Sequence, residues 1–344
     1  MLTWFERLTG FPEKSPRQVR SNLTVEGPRL RSEANGRVFR HGSLNIPALS
    51  DLREETREEK TREEKTSKKR PPEGSSLSLR QVVADVQDLH ADPANEGALF
   101  QVASQPNLLE MTGPSVTPED GVGRYERDQT QGPTCAIAAG AGTIYRNYFA
   151  EVEGQLGQTS SRQINCLEGV GAALGNDRED LWRMENGYAL AFEDGLRRVG
   201  EKLQEMSPEE TGRLRGRLRV GIQQGTEVTL PGAGHEVTQV YASALPVAYS
   251  AASAEMWTPL AKLVLEAAYE ATLRAGIQNG MQSGNWTVYL TLLGGGAFGN
   301  RPGWIIGAIR RALDICRDWP LEVAIVSYGQ PDPNVNQLVS GWNQ

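Results

Sequence analysis

Two glycine-rich stretches hold the residues whose types and spacing could do chemistry. In Val288 to Asn300 (VYLTLLGGGAFGN), a β-rich run ends in Gly294-Gly295-Gly296, and a helix opened by Pro302 follows almost at once. Glycines between a strand and a helix N-terminus let the backbone approach a ligand and point N–H groups at it, and the helix end adds partial positive charge. That arrangement suits a phosphate. The lysine and hydroxyl of a G-x-x-x-x-G-K-[ST] loop are missing, and the G-x-G-x-x-G dinucleotide spacing is not met. A glycine-rich turn that merely packs tightly is the competing reading.

The second stretch, residues 104 to 149, begins as a long polar loop punctuated by glycine and proline and runs into a small-residue helix. Loops of that length inside a compact domain are usually functional or disordered. Its carboxylates are Glu110, Glu119, Asp120, Glu126 and Asp128, and carboxylates beside a phosphate-binding turn can serve as general acid or base or hold a sugar hydroxyl. Gln129, Thr130, Gln131 and Thr134 add uncharged hydrogen-bonding groups before the helix. No lysine occurs between Lys69 and Lys202, which excludes a lysine Schiff base here. Cys135 sits at a helix start, where a thiol pKa can fall, but its Ala-rich surroundings favour a small buried residue.

The elements that must position these groups alternate along the chain. The pattern predicts helices over 79–90, 135–150, 257–276 and 304–316, a mainly helical 181–203, and strands over 98–104, within 214–229, and over 237–245, 288–293 and 323–328. Leu260, Leu263, Val264, Ala267 and Ala268 form an apolar stripe suited to packing on a sheet. Strands separated by such helices indicate a three-layer α/β domain, in which ligands bind beyond the carboxyl ends of the strands. Residues 1–50 read as an N-terminal extension, a short helix and a β-hairpin, with Leu23-Thr24-Val25 and Val38-Phe39 flanking the turn former Asn35-Gly36. Residues 51–76 read as a charged, flexible linker. Fifteen of the twenty residues from Asp51 to Arg70 are charged; Glu58–Arg62 and Glu64–Lys68 pairs would support an exposed helix, but no apolar face would anchor it before Pro71-Pro72. Residues 77–344 form the main domain.

The 344 residues carry 36 basic and 43 acidic side chains, a net charge of −7. That balance argues against nucleic-acid or membrane-surface partners. No apolar run is long enough for a membrane span, and the first residues are too broken for a signal peptide. Three cysteines without C-x-x-C spacing imply a reducing, cytoplasmic setting. Three separated histidines leave no metal site, and no cofactor is expected.

The Leu293–Asn300 loop, followed by a helix and then VAIVSYG (Val323 to Gly329), resembles the second ligand loop of macrodomains. It is most similar to the microbial poly(ADP-ribose) glycohydrolase branch, where a G-x-F-G-N-like sequence precedes a helix and the final strand ends in an aromatic residue. The acidic loop resembles that of macrodomains that remove ADP-ribose from arginine, whose paired aspartates Asp120 and Asp128 would match. The GGG…QEE signature of the glycohydrolases is absent, as is the N-A-A-N motif, with Val102 to Asn107 in roughly its place. The resemblance implies a macrodomain-like mixed sheet flanked by helices, over roughly residues 97–330, and ADP-ribose or an ADP-ribosylated protein as partner. Amides of Gly294, Gly295, Gly296, Ala297, Phe298, Gly299 and Asn300, with those around Gln131, Gly132, Pro133 and Thr134, would cradle the pyrophosphate. Tyr328 would stack on adenine, Asn107 or Gln105 would read its edge, and Phe298 would pack on the distal ribose. Asp128 is assigned to the reacting ribose and water and Asp120 to guanidinium recognition or proton transfer, the two roles being exchangeable. An ADP-ribosyl-arginine hydrolase is the leading expectation; a non-catalytic ADP-ribose reader and an unrelated α/β protein fit the same residues.

Overall fold

The computed structural model describes residues 2–63 and 76–342. Its centre is a seven-stranded mixed sheet, ordered Ser43–Asn45, Gly221–Glu227, Glu236–Ala242, Leu99–Ala103, Thr287–Leu290, Glu322–Ser327 and Ser78–Val83. The last five run parallel, while the first two are antiparallel to their neighbours. Alternate side chains of a strand point to opposite faces, and here both faces are covered. Leu99, Val240, Val288, Val323 and Ile325 join one core with the long helix Ala254–Ser283 and the helix Pro302–Ile315. Phe100, Val102, Tyr241, Tyr289 and Ala324 join a second core, which includes Cys135 of the helix Gln131–Ala138. This is the expected three-layer α/β architecture.

The N-terminal segment is built into that architecture. Asn35-Gly36 turns the chain as expected, between Arg29–Ser32 and Val38–Arg40, while Leu23–Glu26 adds a third strand on the far side. Leu23, Leu30 and Phe39 share a core with Trp4, Phe5, Val122, Tyr125 and Ile144. Trp4 donates its indole N–H to the Val122 carbonyl at 3.0 Å and its backbone N–H to Glu126 at 2.8 Å.

Three segments differ from the sequence-based expectation. The helix expected over 79–90 is the edge strand Ser78–Val83 followed by a short helix, Val86–Ala91, which Asp85 caps. Residues 181–203 open with the hairpin Trp182–Glu185/Tyr188–Ala191 before the helix Glu193–Glu205. Asn186 and Gly187 both take positive φ there, the turn chemistry that Asn-Gly favours. The strand region expected over 214–229 begins as the end of a helix, Pro208–Gly216, with a Ser207/Glu210 capping box.

The charged segment is also anchored, through residues 49–63 at least. Leu49–Glu63 is helical, with Leu49, Leu52 and Thr56 buried along one face. Arg53 binds Glu270 of the long helix with both Nε and Nη2, at 2.7 and 2.8 Å. The expected Glu64–Lys68 pair and the Pro71-Pro72 linker lie outside the described residues, as does the Arg62 side chain of the Glu58–Arg62 pair.

Glu270 is the hub of that packing. Arg274 and Arg311 also donate to it, at 3.0 and 2.8 Å, so one buried carboxylate joins three helices. Burial alone would raise its pKa; the hydrogen bonds from Arg53 and Arg311 and the charges of Arg53 and Arg274 win, holding it at about 2. A depressed carboxylate stabilises the fold above its unfolded value of 4.5 and loses that contribution as pH falls to about 2. The loss is about 3 kcal/mol. Urea unfolding across this window should show the decline in the wild type. Glu270→Gln should lack it and be less stable at pH 7 by about 3 kcal/mol, since three guanidinium groups lose their partner.

Candidate functional site

A cleft of about 1220 Å³ opens at the carboxyl ends of the parallel strands. Its wall is contributed by the residues that follow each strand: Asp85 after the edge strand, Gln105 after Leu99–Ala103, Ala244 after Glu236–Ala242, the glycine loop after Thr287–Leu290, and Tyr328 after Glu322–Ser327. Open α/β sheets bind ligands at this edge, where loops from adjacent strands converge.

The glycine loop is held from behind. The Tyr269 hydroxyl of the long helix accepts from the Leu293 N–H at 2.8 Å and donates to the Thr291 carbonyl at 2.7 Å. Gly294 has φ +70°, and a side chain there would meet Ala244 Cβ and Asn300 Nδ2, each at 2.5 Å. Buried Asn300 closes the loop: its backbone N–H donates to the Gly294 carbonyl at 2.9 Å and its Nδ2 to the Leu245 carbonyl at 2.8 Å. The N–H groups of Gly295 and Gly299 are used within the loop, whereas those of Gly294, Gly296, Ala297 and Phe298 have no acceptor among the described residues. Phe298 packs with Tyr188 and Tyr249, ring centroids 5.5 and 5.8 Å away, to form an aromatic wall. Asn300 thus braces the loop from within, and Pro302 starts the following helix.

The second segment divides sharply between bracing and lining. Gln131 accepts from the Ala103 N–H at 2.9 Å and donates to the Gln101 carbonyl at 2.8 Å, which fixes the helix Gln131–Ala138 against the end of its strand. Gly132, Pro133 and Thr134 line the cleft above it. The Gln131 and Gly132 amides, in the first turn of their helix, have no acceptor among the described residues. Gln105 is engaged at both ends, its Oε1 and Nε2 holding the N–H and carbonyl of Met111 at 2.7 and 3.0 Å. Asn107 lies fully buried outside the cleft lining, bonded to Gln163 and to the Leu109 N–H. Neither side chain is available to read an adenine edge.

The carboxylates separate just as clearly. Asp120 does not line the cleft; its Oδ2 caps Thr117, accepting from the backbone N–H at 2.9 Å and the hydroxyl at 3.0 Å, and Arg124 lies 3.8 Å away. Those hydrogen bonds hold its carboxyl below the usual aspartate range. Glu119 accepts from Ser160. Asp128 does line the cleft, one oxygen accepting from the Thr130 N–H at 2.9 Å. Glu126 lines it too, with the Arg7 guanidinium 3.5 Å away. The pair expected from sequence is therefore not brought together: Asp128 is in the cleft and Asp120 is outside it.

Other lining residues had not been singled out. Glu110, one carboxylate among five in the loop, is 3% exposed, and its Oε1 is buried without a hydrogen-bond partner among the described residues. Its neighbours Leu108, Leu109 and Met111 are the sequence signal for that burial. Asp85 follows the misread edge strand, and Tyr188 opens the second strand of the misread hairpin. Arg7 and Trp4 come from the first helix, and Arg7 is the one Lys or Arg among the lining residues. Tyr328 lines the rim at 83% exposure, with its aromatic face open. Cys135 is buried in the core beneath its own helix, and burial pushes its thiol well up, so it is a packing residue. Among the described residues, no three His, Cys, Asp or Glu side chains converge as metal ligands, and no helix is long and apolar enough to cross a membrane.

No family model matches the chain, and no curated protein does. Among solved structures it is similar to poly(ADP-ribose) glycohydrolase from Deinococcus radiodurans in complex with ADP-ribose, at 13% identity over 86% of this chain and 91% of that chain, with a TM-score of 0.45. It is also similar to poly(ADP-ribose) glycohydrolase from Thermomonospora curvata bound to the inhibitor ADP-HPD, at 11% identity over 95% and 97% of the two chains, with a TM-score of 0.44.

Gly132 offers a sharp test of the cleft floor. Alanine there would gain up to about 1 kcal/mol in helix propensity. Its Cβ would also lie 2.0 Å from the Ala103 carbonyl oxygen and 2.3 Å from Glu110 Oε2. Overlap with fixed backbone outweighs propensity, so Gly132→Ala should lower stability by about 2 kcal/mol in chemical denaturation. A neutral or stabilised variant would mean that the helix start is not seated on the strand end.

Proposed function

We propose that this chain is a macrodomain-type ADP-ribosyl hydrolase that frees ADP-ribose from protein, with arginine as the favoured acceptor. The observation that carries the reading is the juxtaposition, in one cleft, of unbonded amides from two glycine segments with carboxylates and an open aromatic. Backbone amides can hold a pyrophosphate without the lysines and arginines that a free phosphate site usually recruits. Tyr328 offers a face for adenine, Asp85 an acceptor for its amino group, and Phe298 with Tyr188 an apolar wall for the distal ribose. Glu126 and Asp128 make one wall a guanidinium acceptor, and the Arg7 guanidinium already rests there.

In this reading Asp128 faces the anomeric carbon. Cleavage passes through an oxocarbenium-like transition state, which a nearby carboxylate stabilises electrostatically. Asp120, committed to capping Thr117, takes no part. The partner is an ADP-ribosylated protein, and the net charge of −7 gives no general surface for nucleic acid or anionic membrane. Three buried, unpaired cysteines fit a reducing, cytoplasmic location. A non-catalytic ADP-ribose reader is the second reading, favoured by the engagement of one Asp128 oxygen with Thr130.

The test is release of ADP-ribose from an arginine-ADP-ribosylated protein, with ADP-ribose binding followed in the same samples. Asp128→Ala should bind ADP-ribose but lose release by about 100-fold, while Asp120→Ala should release at the wild-type rate. Binding without release by the wild type would make the chain a reader. Neither binding nor release would leave glycine loops that only pack.

A further inference from the structure

Glu110 stands apart from every other carboxylate in the cleft. It is 3% exposed, and its Oε1 is buried without a hydrogen-bond partner among the described residues. A buried carboxylate that is ionised gathers donors, as Glu270 does. The Glu110 Oε1 gathers none, although the backbone is held firmly by the Tyr125 hydroxyl, which accepts from the Glu110 N–H at 3.0 Å. The carboxyl group lies against Gly132, where the missing side chain leaves room for it at the start of the helix Gln131–Ala138. Both residues line the cleft, as does Asp128.

We infer that Glu110 is the acid of this cleft and donates its proton to the nitrogen that leaves the anomeric carbon. The inference rests on the hydrolase reading and deepens it. As the carbon–nitrogen bond breaks, its electron pair stays on nitrogen. The Glu110 proton adds there, and arginine departs as guanidinium. Water attacks the oxocarbenium carbon, which Asp128 stabilises, and the proton that water loses returns to Glu110. The step begins and ends with Glu110 as a carboxylic acid and needs no other reagent.

The surroundings favour the protonated form. Burial is the largest influence, pushing the Glu110 carboxyl well up; Arg146 pulls it down and Asp128 pushes it up. The other titratable groups around it, Tyr125, Cys135, Tyr188 and Tyr241, are neutral, with their own pKa values raised by burial. Arg146 gives its Nε to the Leu108 carbonyl, its Nη2 to the Thr143 hydroxyl and its face to the Tyr241 ring, so its pull on Glu110 is that of a nearby charge, against the larger effect of burial.

Glu110→Gln keeps the shape and hydrogen-bonding capacity of the protonated group and removes the proton. The experiment compares this variant with the wild type for ADP-ribose binding, for release from an arginine-ADP-ribosylated protein, and for the pH dependence of release. The expected result is binding within about threefold of the wild type and release lower by about 100-fold or more. A raised acid works below its pKa, so wild-type release should fall as pH rises through that value, and the residual rate of the variant should lack this limb. A variant that releases within about threefold of the wild type overturns the acid role and leaves the hydrolase reading standing. A variant that has lost binding together with release, with the wild-type pH limb unchanged in its residual rate, gives Glu110 a structural role and also overturns it. Wild-type protein that binds ADP-ribose and releases none overturns both.

Discussion

The cleft depends on one side chain bonding to a strand it does not belong to. Gln131 opens its helix and uses its amide to hold the Ala103 N–H and the Gln101 carbonyl, with a further contact from Nε2 to Cys135 Sγ at 3.1 Å. An amide that takes both a donor and an acceptor from one strand behaves like a neighbouring strand, and it sets the helix start by distance and direction together. Gly132 then falls against Ala103 and Glu110, and two unpaired amides are left at the cleft floor. The Tyr269 hydroxyl does the corresponding work for the opposite loop, bridging Leu293 N–H and Thr291 C=O. Both loops therefore carry open backbone donors on segments fixed from behind by side-chain hydrogen bonds. Such donors need no reorganisation on binding, which is the condition for an electrostatic site to act strongly.

Using backbone amides has a consequence for selectivity. A cluster of lysines would hold any polyanion, nucleic acid included. Here the partial charges of amides and a helix end are surrounded by Asp85, Glu110, Glu126, Asp128 and Asp332, with Arg7 the one cationic side chain in the lining. On the proposed reading, a ligand would place its negative charge between the glycine segments and neutral or cationic groups elsewhere. The first helix is part of this selection, because Trp4 and Arg7 reach the wall through bonds to Glu126.

The sequence made the frame legible wherever periodicity and length agreed. The apolar stripe of Leu260, Leu263, Val264, Ala267 and Ala268 lies within a real helix, longer than expected at both ends. The glycine loop stands where it was read, at the end of a parallel strand. What was misread were short elements whose pattern fits two periods. LRQVV before Asp85 satisfies a helical window as well as an edge strand, and only pairing with Glu322–Ser327 decides it. Asn186-Gly187 carried a hairpin signal inside a segment otherwise rich in helix formers. The charged helix 49–63 was read as unanchored because Leu49, Leu52 and Thr56 are too few to register as a stripe, while Arg53 anchors through a residue more than two hundred positions away. For the same reason Asp120 and Asp128 could not be told apart: capping by Thr117 and exposure to a cleft are contacts, and composition does not carry them.

Two buried glutamates show how the same residue is turned to opposite ends. Glu270 is surrounded by Arg53, Arg274 and Arg311, stays ionised, and is spent on joining helices. Glu110 also has a buried arginine nearby, but Arg146 lies over the Tyr241 ring at 3.5 Å and gives its N–H groups to Leu108 and Thr143. Arg146 meets a carbonyl, a hydroxyl and an aromatic face, while its Nη1 lies buried without a hydrogen-bond partner among the described residues. That frees Glu110 from ion pairing, and an unpaired carboxyl in an apolar wall keeps its proton. Had Arg146 turned to Glu110, the pair would have resembled the Glu270 cluster, stable and chemically idle. The ring of Tyr241 therefore does more than fill the core: by taking one face of the cation, it leaves at the cleft a carboxyl that burial pushes well up.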